Sequence, residues 1–215
     1  FSLGDTVHVS TPSLSFYFNE KKFTQPEWDN YGLETEHIIT SVEIEDENRK
    51  SALLENLKDW VSNPGALLFF HNIKELIVDD YEIRSEKREN GPVKNSAWYD
   101  LYTVEKKYNV LLVRSIAEKF SQAAIDEVRK ERMDDTVELP PASVDIVLGL
   151  PGEQKIYTVL PTDVRTKLPF SCNGPFIQDP ARTVLKDPSL SPVNRWLLGK
   201  CGELAAHTLL SWLKN

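Results

Sequence analysis

The chain switches between two hydrophobic periods. In PSLSFYF, residues 12 to 18, small and large side chains alternate, placing Leu14, Phe16 and Phe18 on one face of a strand. The polar NEKKFTQPEWDNYG after it reads as a loop, and ETEHIITSVEIED alternates again around Ile38 and Val42 as a second strand. From Asp46 the period changes: Leu53, Leu54, Leu57, Trp60 and Val61 recur at helical spacing, with Asp46 or Asn48 as the cap and Asn63-Pro64-Gly65 as the stop. ALLFFHN, a continuous apolar run, and the extended IKELIVDDYEIRSEK then read as a pair of strands, with RENGPVKN as a turn.

WYDLYTVEKK and YNVLLVRSI form a further strand pair. Ile116, Phe120, Ala124 and Val128 step by four through a second helix whose solvated face carries Glu118, Glu127 and Lys130, and Asp134-Asp135 ends it. ELPPAS is a stiff linker, SVDIVLGLP and QKIYTVLPT are two strands joined by a Gly-Glu turn, and LPTDVRTKLPFSCNGPF reads as a loop between buried elements. A Pro-punctuated stretch leads to a terminal helix with apolar Trp196, Leu197, Leu204, Leu209, Trp212 and Leu213. Strand pairs joined by short turns and interrupted by helices predict an α+β fold with mixed or antiparallel sheets.

Composition narrows the function classes. The 215 residues are 40% hydrophobic and 27% charged, enough for a sizeable core, and the net charge of -8 argues against a general nucleic-acid or anionic-membrane surface. No apolar run approaches the roughly 18 to 20 residues that span a bilayer, so a soluble, cytoplasmic protein is expected. Cys172 and Cys201 lack metal-ligand spacing and read as reduced, buried packing residues. His8, His37, His71 and His207 are scattered, with His71 read as a strand-end histidine. Walker-type loops, G-x-S-x-G, H-E-x-x-H and Cys-x-x-Cys are absent from the sequence, so no self-sufficient active site is legible in it.

Three stretches, in order, resemble the sacsin-type GHKL ATPases. GDTVHVSTPSLSFYF is similar to the segment after that family's ATP lid, and PGALLFFHNIKELIV to its Leu-Leu-Phe strand. LPTDVRTKLPFSCNGPF resembles its Leu-Pro, Thr-x-Leu-Pro, Asn-Gly-x-Phe signature through Leu160, Pro161, Thr166, Leu168, Pro169, Asn173, Gly174 and Phe176. Asn194 and Trp196 to Leu198 resemble the Trp- and Leu-rich helix that follows.

The resemblance implies residues 1–46 as the C-terminal strands of a Bergerat-type ATP-binding domain and residues 47–215 as a middle, transducer-like domain. ATP and Mg are then the cofactors, held mostly by residues outside this chain, since the Mg-binding Asn helix and the Asp-x-Gly-x-Gly motif are not in it. A segment opening at Phe1 is expected to belong to a longer polypeptide and to be inactive alone. Thr35 is either an adenine contact or a plain strand threonine. Lys167 and Arg165 either approach the γ-phosphate from the middle domain, where an added cation stabilises charge developing on the transferred group, or are solvated. The expected partners are other domains of the same polypeptide and a protein client. Alternative functions are a nucleotide-independent interaction module and the regulatory part of a restriction or defence protein.

Overall fold

A computed structural model describes residues 6–10, 15–19, 27–29, 41–45, 50–70, 73–78, 80–179 and 184–214. Thr35, Leu14, Ile38, His37, His71 and the capping candidates Asp46 and Asn48 lie outside the described residues. The chain divides into two compact units, 1–58 and 59–215, and the division falls within helix α1 (Lys50–Ser62), past the boundary expected after residue 46.

The first unit holds an antiparallel sheet of β1 (Thr6–Ser10), β2 (Ser15–Asn19), β3 (Glu27–Asp29) and β4 (Ser41–Glu45) in the order β3-β2-β1-β4. Register explains why β1 is central: Val7 pairs with Phe18 and Ile44, and Val9 with Phe16 and Val42, so the apolar positions fall in line across three strands. β3 lies in a stretch whose polarity predicts a loop. It is a strand because Trp28 pairs with Phe16, their ring centroids 5.7 Å apart edge to face, and the Tyr17 hydroxyl donates to Glu27 Oε2 at 2.6 Å.

The second unit is built on an eight-stranded sheet. Its strands are β5 (Glu75–Val78), β6 (Tyr81–Asn90), β7 (Ser96–Tyr102), β8 (Lys107–Arg114), β9 (Asp145–Leu148), β10 (Lys155–Thr158), β11 (Leu160–Arg165) and β12 (Phe170–Asn173). They run in the order β11-β10-β12-β9-β8-β7-β6-β5, antiparallel except for the parallel β10–β12 pair. The α+β class expected from the sequence holds, with a mixed sheet.

Helices α2 (Gln122–Arg132) and α3 (Pro192–Trp212) cover one face. Ala124, Val144, Ile156, Cys172, Val193, Leu197 and Cys201 form the core there, extended by Leu111, Val113 and Ile146. Leu197 is fully buried, and sequestering such a side chain contributes about 1.5–3 kcal/mol. Leu209 and Leu213, expected on the apolar face of α3, are exposed instead, because they lie at the end of the helix beyond its buried positions.

The opposite face is covered by a segment that corrects the sequence reading. The first three residues of ALLFFHN, read as a strand, end a buried 3-10 turn, Pro64–Leu68, whose Ala66 and Leu68, with Phe69, pack on Leu101, Val110, Leu112, Val147 and Tyr157. Pro64 presets the first turn, and Gly65 approaches the core so closely that an added Cβ would meet Leu150 Cδ1 at 2.9 Å. A continuous apolar run signals burial, and burial alone does not separate a strand from a tight turn.

Four further readings change. IKELIVDDYEIRSEK is not one strand but the β5–β6 hairpin, turning through Asp80. The second helix starts at Gln122, because Ser121 caps it in an extended conformation and the backbone bridge between Glu118 and Ala142 draws the preceding residues out of helical geometry, leaving Ile116 exposed. It ends at Met133 in the left-handed region, φ 51°, with Arg129, Lys130 and Arg132 complementing the dipole. β9 and β10 follow one another but do not pair, since β12 inserts between them so that Ile146, Cys172 and Ile156 line up beneath α3.

The fourth concerns LPTDVRTKLPFSCNGPF. It is not a loop: most of it is β11 and β12, anchored by the buried Thr162 hydroxyl, which donates to Ile156 O at 2.8 Å and accepts from the Val164 N–H at 3.2 Å. Nor is Asn173-Gly174 a tight turn. Asn173 ends β12, and Gly174 is buried where a Cβ would meet Val144 Cγ1 at 3.2 Å.

Candidate functional site

Strand register separates two groups of cations to opposite ends of the large sheet. Arg165 pairs with Lys155 at the start of β10, and Phe170 with Leu148 at the end of β9, so Arg165 and the connection to β12 mark one end. Arg114 pairs with Asp145, and Asp145 with Asn173, at the other.

At the first end, the Thr166 N–H donates to Gln154 O at 2.8 Å and the Leu168 N–H to Thr166 Oγ1 at 3.3 Å, shaping a short connection. Arg165 forms an ion pair with Glu153 at 2.8 Å, with side chains 68% and 62% exposed. Such a solvated bridge is worth at most about 1 kcal/mol. Lys167 is exposed and has no charged or hydrogen-bonding partner among the described residues. The two candidate cations are thus in different states, Arg165 neutralised by Glu153 and Lys167 without a partner among the described residues. Thr35 falls outside the described residues.

The second end carries a polar network that the sequence reading missed. Asp145 is 4% exposed. It accepts from Arg114 Nε at 2.7 Å and from Asn173 Nδ2 at 3.0 Å, while Asn173 Oδ1 accepts the Val159 N–H at 2.8 Å. The hydrogen bond to Asp145 holds the Arg114 guanidinium above its usual pKa. A guanidinium has five N–H donors, and the carboxylate engages one edge, fixing the plane of the group while the rest stays available.

Arg114 opens onto a groove of about 740 Å³ on the sheet face not covered by the helices. Lys87, Asn90, Lys94, Asn95 and Ser115 line it with Arg114. Lys87 and Lys94 are exposed and unpaired among the described residues. Ser115 Oγ accepts the Val144 N–H at 2.9 Å, which leaves its own proton to point elsewhere.

A β-bulge sets the sign of this surface. β6 pairs Lys87 with Tyr99, but Glu89, not Arg88, with Trp98, so Arg88 is the inserted residue. A regular ladder would put Glu89 opposite Ala97, on the groove face. The bulge puts Asn90 there and turns the carboxylate to the other side.

No family model, curated protein or solved structure matches the chain. The groove was hidden in the sequence because its residues run from β6 to just past β8 and come together only through register. The one local signal was GPVKN, a turn presenting Lys94 between β6 and β7.

Among the described residues no helix is long and apolar enough to cross a membrane.

Proposed function

We propose that the second unit is a coupling domain of a GHKL-type ATPase, in which Lys167 approaches the phosphates of ATP-Mg held by another domain of the same polypeptide. The observation that supports this reading is the state of Lys167: an exposed, unpaired ammonium on a hydrogen-bonded connection between an edge strand and an interior strand. A lysine so placed loses no existing partner when it turns to an incoming anion, whereas Arg165 must first leave Glu153. The physical role is stabilisation of charge on the transferring phosphoryl oxygens, with domain position tied to nucleotide state. Arg165 then holds the connection in place, and Thr35 belongs to the adenine side.

The test uses the native polypeptide that carries these residues. Lys167→Ala is expected to lower ATP turnover by about tenfold or more while leaving ATP affinity nearly unchanged. Equal turnover in the two proteins removes Lys167 from the mechanism.

A second reading, a nucleotide-independent interaction module for a protein client, is favoured by the apolar end of α3, where Leu209, Leu210, Trp212 and Leu213 are 59%, 55%, 40% and 76% exposed. It predicts no shift in melting temperature with ATP-Mg, and a clear shift rules it out.

A further inference from the structure

The groove at the other end of the sheet supports a separate binding site. We propose that it binds the phosphate group of a small phosphate-bearing molecule, with Arg114 as the oriented fork and Lys87 and Lys94 as flanking charges.

Charge comes first. Asp145 is already committed to Arg114 and Asn173, so it offsets the guanidinium and leaves Lys87 and Lys94 uncompensated on a chain whose overall charge is -8. A surplus of two positive charges matches a dianion better than a monocarboxylate. The whole-chain field repels anions, so this concentration of unpaired cations is a local feature and not a sample of the average surface.

Geometry comes second. Phosphate favours a planar guanidinium held in one orientation, because two parallel N–H bonds form only when the fork is already aimed. Here the buried carboxylate aims it. Asn173 secures the carboxylate in turn, so the orientation is established before any ligand arrives. Asn90, Asn95 and Ser115 add uncharged polar groups to the same groove, which suits the remaining oxygens of a phosphate and the polar body attached to it.

The bulge is independent of both arguments. Inserting Arg88 interrupts the β6–β7 ladder, and its consequence is to keep Glu89 off the groove face. The groove lining is thereby left without a carboxylate to repel an anion.

The experiment titrates inorganic pyrophosphate into the chain, followed by calorimetry and by amide chemical shifts. Saturable binding is expected, with a Kd of about 1 mM or tighter, weakening with added salt. Lys87→Ala and Lys94→Ala should each weaken binding about tenfold. Asn90→Glu, which returns a carboxylate to the groove at an exposed position, should weaken it more than Asn90→Ala. Lys119→Ala, an exposed lysine that does not line the groove, should leave it unchanged. Melting temperatures of the variants establish that they are folded. The proposal is overturned if pyrophosphate gives no saturable signal up to about 10 mM, if the lysine variants bind as wild type does, or if malonate binds as tightly as pyrophosphate.

Discussion

Asn173 accepts the Val159 N–H through its side-chain oxygen at 2.8 Å, and Val159 sits at φ 73°, a left-handed conformation that β-branched residues rarely adopt. The strain is local to the β10–β11 turn, and the other half of the same amide donates to Asp145. Asn173 thus ties a strained turn to the carboxylate that orients Arg114. Removing it in Asn173→Ala should lower unfolding free energy by about 2 kcal/mol, from two lost hydrogen bonds and an under-satisfied buried carboxylate. Val159→Asn, which tolerates positive φ, should raise it by about 1 kcal/mol. Urea unfolding reads both, and a Val159→Asn protein no more stable than wild type would show that the turn carries no recoverable strain.

Acid sensitivity should concentrate at Glu127, whose side chain, expected on the solvated face of the second helix, is only 7% exposed because it is drawn in against the start of α3. Burial pushes its pKa up, but hydrogen bonds from Lys186 Nζ at 2.7 Å, the Val193 N–H at 2.9 Å and Ser191 Oγ at 3.0 Å outweigh burial and hold it below the ordinary glutamate value. The folded pKa is depressed, so the contribution is complete above the unfolded carboxylate range and is lost as pH falls through the folded value. Glu127→Gln should cost about 2 kcal/mol near neutral pH and flatten the acid limb of a stability-against-pH curve. An unchanged acid limb in the variant would place the sensitivity elsewhere.

Asn194, fully buried at the start of α3, exchanges two hydrogen bonds of 2.8 Å with the Ile177 backbone and donates a third to Lys186 O. Asn194→Ala leaves the Ile177 N–H and the Lys186 carbonyl without this partner, while Ile177 O keeps the Lys186 N–H at 2.9 Å, so a loss of about 2 kcal/mol is expected, together with faster hydrogen exchange at the Ile177 amide. Retained protection there would mean that the segment after Phe176 is held by other contacts.

Cys172 on β12 and Cys201 on α3 are both buried in one core cluster, each free of a disulfide. The neighbouring Cys172 and burial push the Cys201 thiol far above its usual range. Since the thiolate is the reacting species, Cys201 should resist alkylation by iodoacetamide in the folded chain at mildly alkaline pH and react fully once unfolded in urea. Prompt labelling of the native protein at Cys201 would contradict this packing.

Alternation and period carried much of the fold. YNVLLVRSI became the central β8 because its apolar run is buried on both faces, and α3 followed from its helical spacing. The misread segments share a cause: in ALLFFHN and in LPTDVRTKLPFSCNGPF, apolar character and proline are compatible with several backbone states, and what chose among them was packing against residues distant in sequence, Leu150 and Tyr157 in one case, Ile146 and Ile156 in the other. Lys167 and Arg165 could be singled out as charges from sequence, but not the Glu153 that neutralises only one of them. The groove depended on one extra residue in β6, and a bulge leaves no mark in a hydrophobicity pattern.

β11, the strand at one edge of the large sheet, is also a poor template for pairing with a second copy of this chain. Pro161 supplies no N–H to a newcomer, and Asp163 and Arg165 are exposed along the same strand. An incoming strand would find a broken row of donors flanked by charge, which protects this margin of the sheet from runaway edge-to-edge assembly at high concentration.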